Sequence, residues 1–529
     1  MASPECRTLD LTTWTTTDVN PWNDGTPMEA NIFCSGASHL PDGRLLVAGG
    51  HVHKNHKQGC GIPAAQGHTH NGRALHHYDP ADPREPWAKL QTEMAEDRWY
   101  PTVTPLPDGR MLITSGSGEG LWYSDKEYFD EIQNNYVIYD GKMLTPAKHL
   151  VQTPGKPTPP LATYPGVFVL PDTAHGTIVV VVETYRAWLY RYHSDKSKLE
   201  QVGGSRDMTT KGSRSYPWYG SMVLLPLAPD QKTRRILVVG GTQDDNDAYT
   251  RLVGEWCGTP DHEAIQGEVG REKTTKTAQL LTLNLDKKLT DAGMATWEPL
   301  RTNQDRFLCD STLLADGTVL VSGGVKRGWA NNNSGPVNQA EIFDPEEREF
   351  RAAATAVTER RYHSVALLLP DGTVLKAGSN GGFGGPPGKT DQSQEWFDSR
   401  TNGDRYLPPY LWRGPRPEIT NVLASSVGGI TTLRYGHQVL INATGPNLNA
   451  RSKAALIRLG TVTHGNNMEQ RYVWLHVSSH NHVNGEWTIQ ATAPANGATA
   501  PPGDYMLVVV DSNGVPSKAE LVRISNFRP

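Results

Sequence analysis

Cysteine is scarce in this sequence: Cys6, Cys34, Cys60, Cys257 and Cys309 are the 5 in 529 residues. So few, and an odd number, exclude a disulfide-built scaffold. No two are spaced as a CxxC pair, which argues against a structural zinc site. At least one cysteine has a role other than pairing. Long apolar runs are also missing, and no stretch approaches the roughly 20 residues that cross a bilayer. Charge of one sign is not in excess: the net charge is −5, which gives no basic surface for nucleic acid or an anionic membrane. The opening residues, Met1 to Cys6, carry neither a basic head nor an apolar core, so they do not read as a secretory signal. The expectation is a chain that stays inside the cell or one whose leader has been removed. No long amphipathic helical pattern stands out either.

What is abundant is turn chemistry, with 52 Gly and 38 Pro and frequent Asp-Gly and Asn-Gly pairs. The composition reads all-β. One phrase recurs: Pro41-Asp42-Gly43-Arg44-Leu45-Leu46-Val47-Ala48-Gly49-Gly50 returns at 107–116, 315–324 and 370–379. Degenerate copies end at Gly240-Gly241 and run through Thr177 to Val182. Each unit is a turn, a buried apolar strand without clean alternation, and glycines where backbones crowd. Units of several short strands repeating at about 50–80 residues predict a seven-bladed β-propeller of kelch type. Six blades are visible, and the N-terminal strand is expected to close the ring. After residue 412 the pattern changes. Arg413 to Ile419 reads as a linker, and short strands at Gln438 to Asn442, Tyr472 to Val477, Glu486 to Ala491 and Tyr505 to Val510 predict a small immunoglobulin-like sandwich. The expected domains are 1–412 and 417–529. Between His51 and His77 lie seven histidines, His51, His53, His56, His68, His70, His76 and His77. They read as a polar loop, with transition-metal binding as the alternative.

The repeat register singles out candidate site residues. Cys34 precedes Pro41 by seven positions, Tyr100 precedes Pro107 by seven, and His363, next to Tyr362, precedes Pro370 by seven. Equivalent positions in different blades sit at similar radii around one axis, so these side chains can converge at its centre. A fifth residue, His464, sits at a turn before Gly465 in the second domain. Nothing in spacing brings it to the others. Taken alone, each tyrosine and histidine also reads as a partly buried structural hydrogen-bonder, and Arg98 and Arg361 read as strand-end surface charges, with support of the neighbouring site residues as the alternative.

Phe33-Cys34-Ser35-Gly36, Arg98-Trp99-Tyr100, Arg361-Tyr362-His363-Ser364 and Thr463-His464, in that order, resemble the copper-radical oxidases, the galactose oxidase and glyoxal oxidase family. Pro501-Pro502-Gly503-Asp504-Tyr505 and Asn513 to Ser517 resemble that family's C-terminal domain. The resemblance implies one copper ion held by Tyr100, Tyr362, His363 and His464. It also implies a thioether between Cys34 and the Tyr100 ring that makes this tyrosine a radical cofactor. Tyr362 is implied as the base. The implied reaction oxidises a small-molecule aldehyde, as its hydrate, or a primary alcohol with O₂ and yields H₂O₂. Galactose oxidation proper and a non-catalytic kelch scaffold are the alternatives. The residues before Phe33 are too few for the carbohydrate-binding domain of the galactose-specific members. Gly118 stands where those members carry a stacking tryptophan, with Trp122 as a substitute. Both departures weaken galactose as the implied substrate, and Asp97-Arg98-Trp99-Tyr100 resembles the glyoxal oxidase branch. No nucleic-acid or membrane partner is expected, a monomer is the working expectation, and the resemblance implies secretion if a leader has been removed.

Removing two electrons from an alcohol exceeds what copper stores between Cu(II) and Cu(I). A phenoxyl radical on Tyr100 supplies the second one-electron store, and a sulfur substituent eases its oxidation. Imidazole with phenolate suits Cu(II).

Overall fold

The computed structural model describes residues 6–19, 32–50, 72–118, 135–150, 162–242, 274–379 and 400–525, apart from a few isolated positions within these spans. Among them there is no α-helix, and no helix is long and apolar enough to cross a membrane. The chain is all-β.

From residue 36 to 406 it folds into six antiparallel meanders in chain order. The first sheet comprises Gly36–His39, Leu45–Ala48, Leu75–Tyr78 and Trp87–Lys89, and the second Thr102–Pro105, Met111–Thr114, Asn135–Tyr139 and Lys148–His149. The later sheets begin with Gly166–Thr173, Ser221–Leu224, Asp310–Leu313 and Ser364–Leu368. Each recurrent turn joins a sheet's first two strands. In the first copy Leu40 and Arg44 close it, and Gly43 takes the left-handed φ of +94° that a side chain would resist. The second strands, such as Met111–Thr114 and Val319–Ser322, are buried along their whole length, which accounts for their unbroken apolar sequence. First strands of neighbouring sheets lie against one another. A Cβ on Gly36 would strike the Pro101 carbonyl, and one on Gly166 would strike the Met222 sulfur.

The N-terminal strand Arg7–Leu9 pairs with Thr16–Asp18 as a separate hairpin and with no other strand among the described residues. It still bridges two sheets. Trp14 lies under the Arg405 guanidinium of the sixth sheet, and the carbonyl of Val19 accepts the Trp87 indole N–H of the first.

The C-terminal domain is a sandwich of a four-stranded and a six-stranded sheet. Ile441, Ala443 and Ile489 of one pack with Leu456, Leu507 and Ile524 of the other in a single core. The expected strand from Tyr472 to Val477 is two strands. Tyr472–Trp474 joins the larger sheet and His476–Val483 the smaller, because the chain changes sheets at the buried Leu475. This domain is bonded to the meanders through backbone. Leu227 exchanges hydrogen bonds with Tyr472 and Trp474, and Arg471 donates to the Val169 carbonyl at 2.7 Å.

Arg98 is not a surface charge. It is fully buried, donating to the Ser115 carbonyl and the Asn135 side chain. Arg306 and Arg360 do the same in later sheets, reaching the carbonyls of Gly323 and Gly378. A guanidinium offers several donors in a fixed fork, so in these three sheets one buried arginine secures the chain after the second strand. Burial lowers Arg98 to about 10, and it stays charged at neutral pH. Arg361 is mostly covered and pairs with Glu359.

Two of the seven histidines contradict the loop reading. His76 and His77 lie in the strand Leu75–Tyr78 and are buried; the remaining five lie outside the described residues. His77 accepts at Nδ1 from the Arg44 guanidinium at 3.1 Å. An arginine can only donate, so this ring is neutral and its Nδ1 is occupied. Burial pushes both histidines down to about 4, helped by the charges of Lys89 on His76 and Arg44 on His77. Unfolded, they titrate near 6.5. Between pH 6.5 and 4 the unfolded chain therefore takes up protons that the folded chain refuses, and stability falls as pH falls. Thermal unfolding at pH 7 and pH 5 will show a lower midpoint at pH 5, and His76→Gln/His77→Gln will flatten the slope.

Candidate active site

In five of the six sheets, a residue one or two positions before the first strand is in left-handed backbone. Cys34, Tyr100 and His363 have φ of 67°, 63° and 62°, with Tyr164 at 46° and Leu308 at 56° in equivalent places. Left-handed backbone costs a residue with a side chain about 1–2 kcal/mol, and it persists where the surroundings over-determine it. Here backbone bonds between sheets do so. Tyr100 N donates to Cys34 O at 3.0 Å, Tyr164 N to Tyr100 O at 2.8 Å, and Leu308 N to Tyr219 O at 2.7 Å.

His464 arrives from the other domain. Residues 461–471 form an arm pinned to the first strands of several sheets. Thr461 Oγ1 donates to Ala37 O at 2.8 Å, and Ser221 Oγ donates to Gly465 O at 2.8 Å. Val103 N donates to the Met468 sulfur at 3.4 Å, and Leu313 N to Gln470 Oε1 at 2.9 Å. Glu469 accepts from His39 N at 2.9 Å and faces His39 Nδ1 at 2.6 Å. At the tip, His464 has φ 52°, and a Cβ on Gly465 would strike the Cys309 carbonyl.

The five residues singled out in the sequence come together. Tyr100 Oη lies 2.6 Å from Tyr362 Oη and 2.9 Å from His464 Nε2. Ligand atoms of Cys34, His363 and His464 all lie within 4.8 Å of one another. Tyr100 and Tyr362 are each 2% exposed, while His363 is half-buried. Thr463 Oγ1 engages His464 Nδ1 at 2.6 Å, leaving Nε2 for the cluster. Burial, then the nearby His363, holds His464 well below the usual histidine range. The ring is neutral and keeps a lone pair. Burial pushes the Cys34 thiol up, opposed by hydrogen bonds with Tyr100 and Trp99. Two imidazoles and two phenols meeting at one point form a mixed nitrogen–oxygen donor set that fits a transition ion of Cu(II) character.

Gly118 is buried, and Trp122 lies outside the described residues. The Tyr100 ring is stacked by Trp99, with centroids 3.4 Å apart, and by Tyr164 at 4.5 Å and 19°. Tyr164 is held by its hydroxyl, which donates to Ser35 O at 2.8 Å. Sequence reading missed Tyr164 and Tyr219. The signal was present, since each stands seven residues before a proline, Pro171 and Pro226, but neither proline is followed by Asp-Gly.

Known proteins resemble the chain throughout. An aldehyde oxidase of Arabidopsis thaliana is 27% identical over 83% of this chain and 65% of its own length. One of Vitis pseudoreticulata is 27% identical over 93% and 82%. A galactose oxidase of Gibberella zeae is 26% identical over 94% of this chain and 61% of its own. The chain thus spans less than two thirds of the first and third of these relatives. A solved fungal alcohol oxidase of the AA5 family, in complex with copper, shares the fold with a TM-score of 0.67 at 20% identity, covering 98% of this chain and 90% of that one. Residues 416–524 match the galactose oxidase-like early set domain. Residues 25–410, well over half of the chain, match the glyoxal oxidase N-terminus, and the chain belongs to the glyoxal oxidase family.

Proposed function

We propose that this chain is a copper-radical oxidase that converts a small aldehyde, as its hydrate, to the acid, or a primary alcohol to the aldehyde, passing two electrons and two protons to O₂ to give H₂O₂. The observation that carries this reading is Tyr100 Oη, set between Tyr362 Oη at 2.6 Å and His464 Nε2 at 2.9 Å with the Cys34 sulfur beside it. Tyr100, Tyr362, His363 and His464 are the residues that would hold copper. Bound copper would supply a one-electron acceptor and a Lewis acid for the substrate oxygen.

The chain's own residues account for the rest. Cys34 hydrogen-bonds the Tyr100 side chain, which supports a thioether between its sulfur and the ring carbon ortho to the Tyr100 oxygen. Closing that bond removes one hydrogen from sulfur and one from carbon, with O₂ as the oxidant. Sulfur donates electron density into the ring and lowers the cost of oxidising Tyr100. Trp99 and Tyr164 cover its two faces and exclude water from a phenoxyl radical. The Tyr100 oxygen takes the substrate's hydrogen atom, and Tyr362 Oη takes the hydroxyl proton as general base. An aldehyde hydrate offers the same O–H and C–H pair as an alcohol. The scaffold reading that accompanies this function is a seven-bladed kelch propeller through residue 412 and an immunoglobulin-like sandwich from 417, supported by the six meanders and the two-sheet core. A monomer acting on small molecules, without nucleic acid or membrane, completes it.

Peroxide release from the copper-loaded chain tests the function, with glyoxal-type aldehydes, simple primary alcohols and galactose compared. Turnover of the first two above galactose is expected. Silence with all three, together with an uncrosslinked Cys34 peptide, would leave a non-catalytic scaffold.

A further inference from the structure

We propose that Phe33 is a specificity residue that receives the apolar end of the substrate, so that this chain prefers aldehydes or alcohols bearing an aromatic or aliphatic group over polyhydroxylated ones. The inference rests on the oxidase reading above and names its substrate class.

Among the described site residues, His363 is the least covered. Cys34, Tyr100, Tyr362 and His464 are buried and His363 is half-buried, so a substrate reaches the cluster past His363. Phe33 stands there. Its ring meets His363 edge-on, with centroids 5.2 Å apart at 64°, and it is 45% exposed. Its backbone is held by a turn. A tight turn closed by Ser35 N donating to Ile32 O spans it, and the left-handed φ of Cys34 sends the thiol inward while Phe33 faces out. A half-exposed aromatic beside a buried site gains by being covered further, and with only two side-chain torsions it loses little freedom when that happens. Its ring offers no hydrogen-bond partner, so hydroxyls laid against it would be desolvated without compensation. Hydrophobic contact of this size discriminates by about tenfold or more.

The test uses the copper-loaded chain and compares Phe33→Ala and Phe33→Leu with the parent, using benzyl alcohol and glyoxal as substrates. The expected result is a fall of about tenfold in the ratio of kcat/KM for benzyl alcohol to that for glyoxal in Phe33→Ala. The fall should be carried by KM for benzyl alcohol, and Phe33→Leu should restore part of it. Saturation-transfer NMR of benzyl alcohol with the copper-free protein should give contacts in the parent that Phe33→Ala weakens. An unmoved ratio overturns the proposal, as does an equal loss of kcat for both substrates, which would mean that Phe33 only supports His363. If the parent oxidises neither substrate but the NMR contacts depend on Phe33, the oxidase reading fails and the contact stands.

Discussion

Cys34→Ser will leave the fold intact and lower the oxidase activity by on the order of a thousandfold, a rise of about 4 kcal/mol in the barrier. Serine is slightly smaller, keeps a polar atom near Tyr100 and Trp99, and leaves the backbone free to accept from Tyr100 N at 3.0 Å. What it cannot do is form a thioether. Tyr100 then remains an ordinary phenol that resists one-electron oxidation, and the second electron store is lost. Peptide mass analysis reads the first half of this: under the proposed function the parent should yield joined Cys34 and Tyr100 peptides lighter by two hydrogens than their sum, and the variant no such species. Peroxide release reads the second half. Full activity in the variant would sink the radical assignment while leaving the family membership standing.

Glu469→Gln will destabilise the protein by about 3–5 kcal/mol and weaken copper binding, although Glu469 touches none of the proposed ligands. Its carboxylate is fully buried, with Arg458 Nε donating to Oε1 at 2.9 Å and His39 on Oε2. Arg458 in turn donates to the carbonyls of Pro501 and His39. Burial would raise the carboxyl, but the charges of His39 and Arg458 prevail and hold it at about 2. Glutamine has nearly the same shape and no charge, so Arg458 is left as an uncompensated buried cation. The same carboxylate ties the arm carrying His464 to the first sheet. Urea unfolding at pH 7 measures the stability loss, and copper titration measures the loosened arm. Because the folded carboxyl is depressed, its contribution is complete above pH 4.5 and disappears as pH falls through 2. Parent and variant should therefore converge in stability only in strong acid.

The repeat was legible because its signal is local. Pro-Asp-Gly makes its own turn, and the offset from that turn to Cys34, Tyr100 and His363 put the three at one radius. Tyr164 and Tyr219 share the offset but follow it with Asp172-Thr173 and Leu227-Ala228, so their turns carry no Asp-Gly to mark them. Arg98 was misread for a different reason. A charge is assigned to the surface by default, and only the carbonyls of a neighbouring strand, invisible in the chain's own order, make its burial affordable. His76 and His77 were drawn into a loop by the histidines before them, although they occupy a buried strand. The convergence of His464 was least legible. It depends on hydrogen bonds from the arm to Ala37, Val103, Ser221 and Leu313, four residues with no chemical signature.

The arm also sets a schedule. His464 is translated long after His363, and at about 5–20 residues per second the ribosome needs on the order of ten seconds to span that interval. During it, the nascent meanders hold Cys34, Tyr100, Tyr362 and His363 around a centre that lacks its last imidazole. Under the proposed function, oxidative chemistry at that centre would wait until the domain after residue 412 has emerged and placed its arm against the first strands, so the order of synthesis would time the maturation.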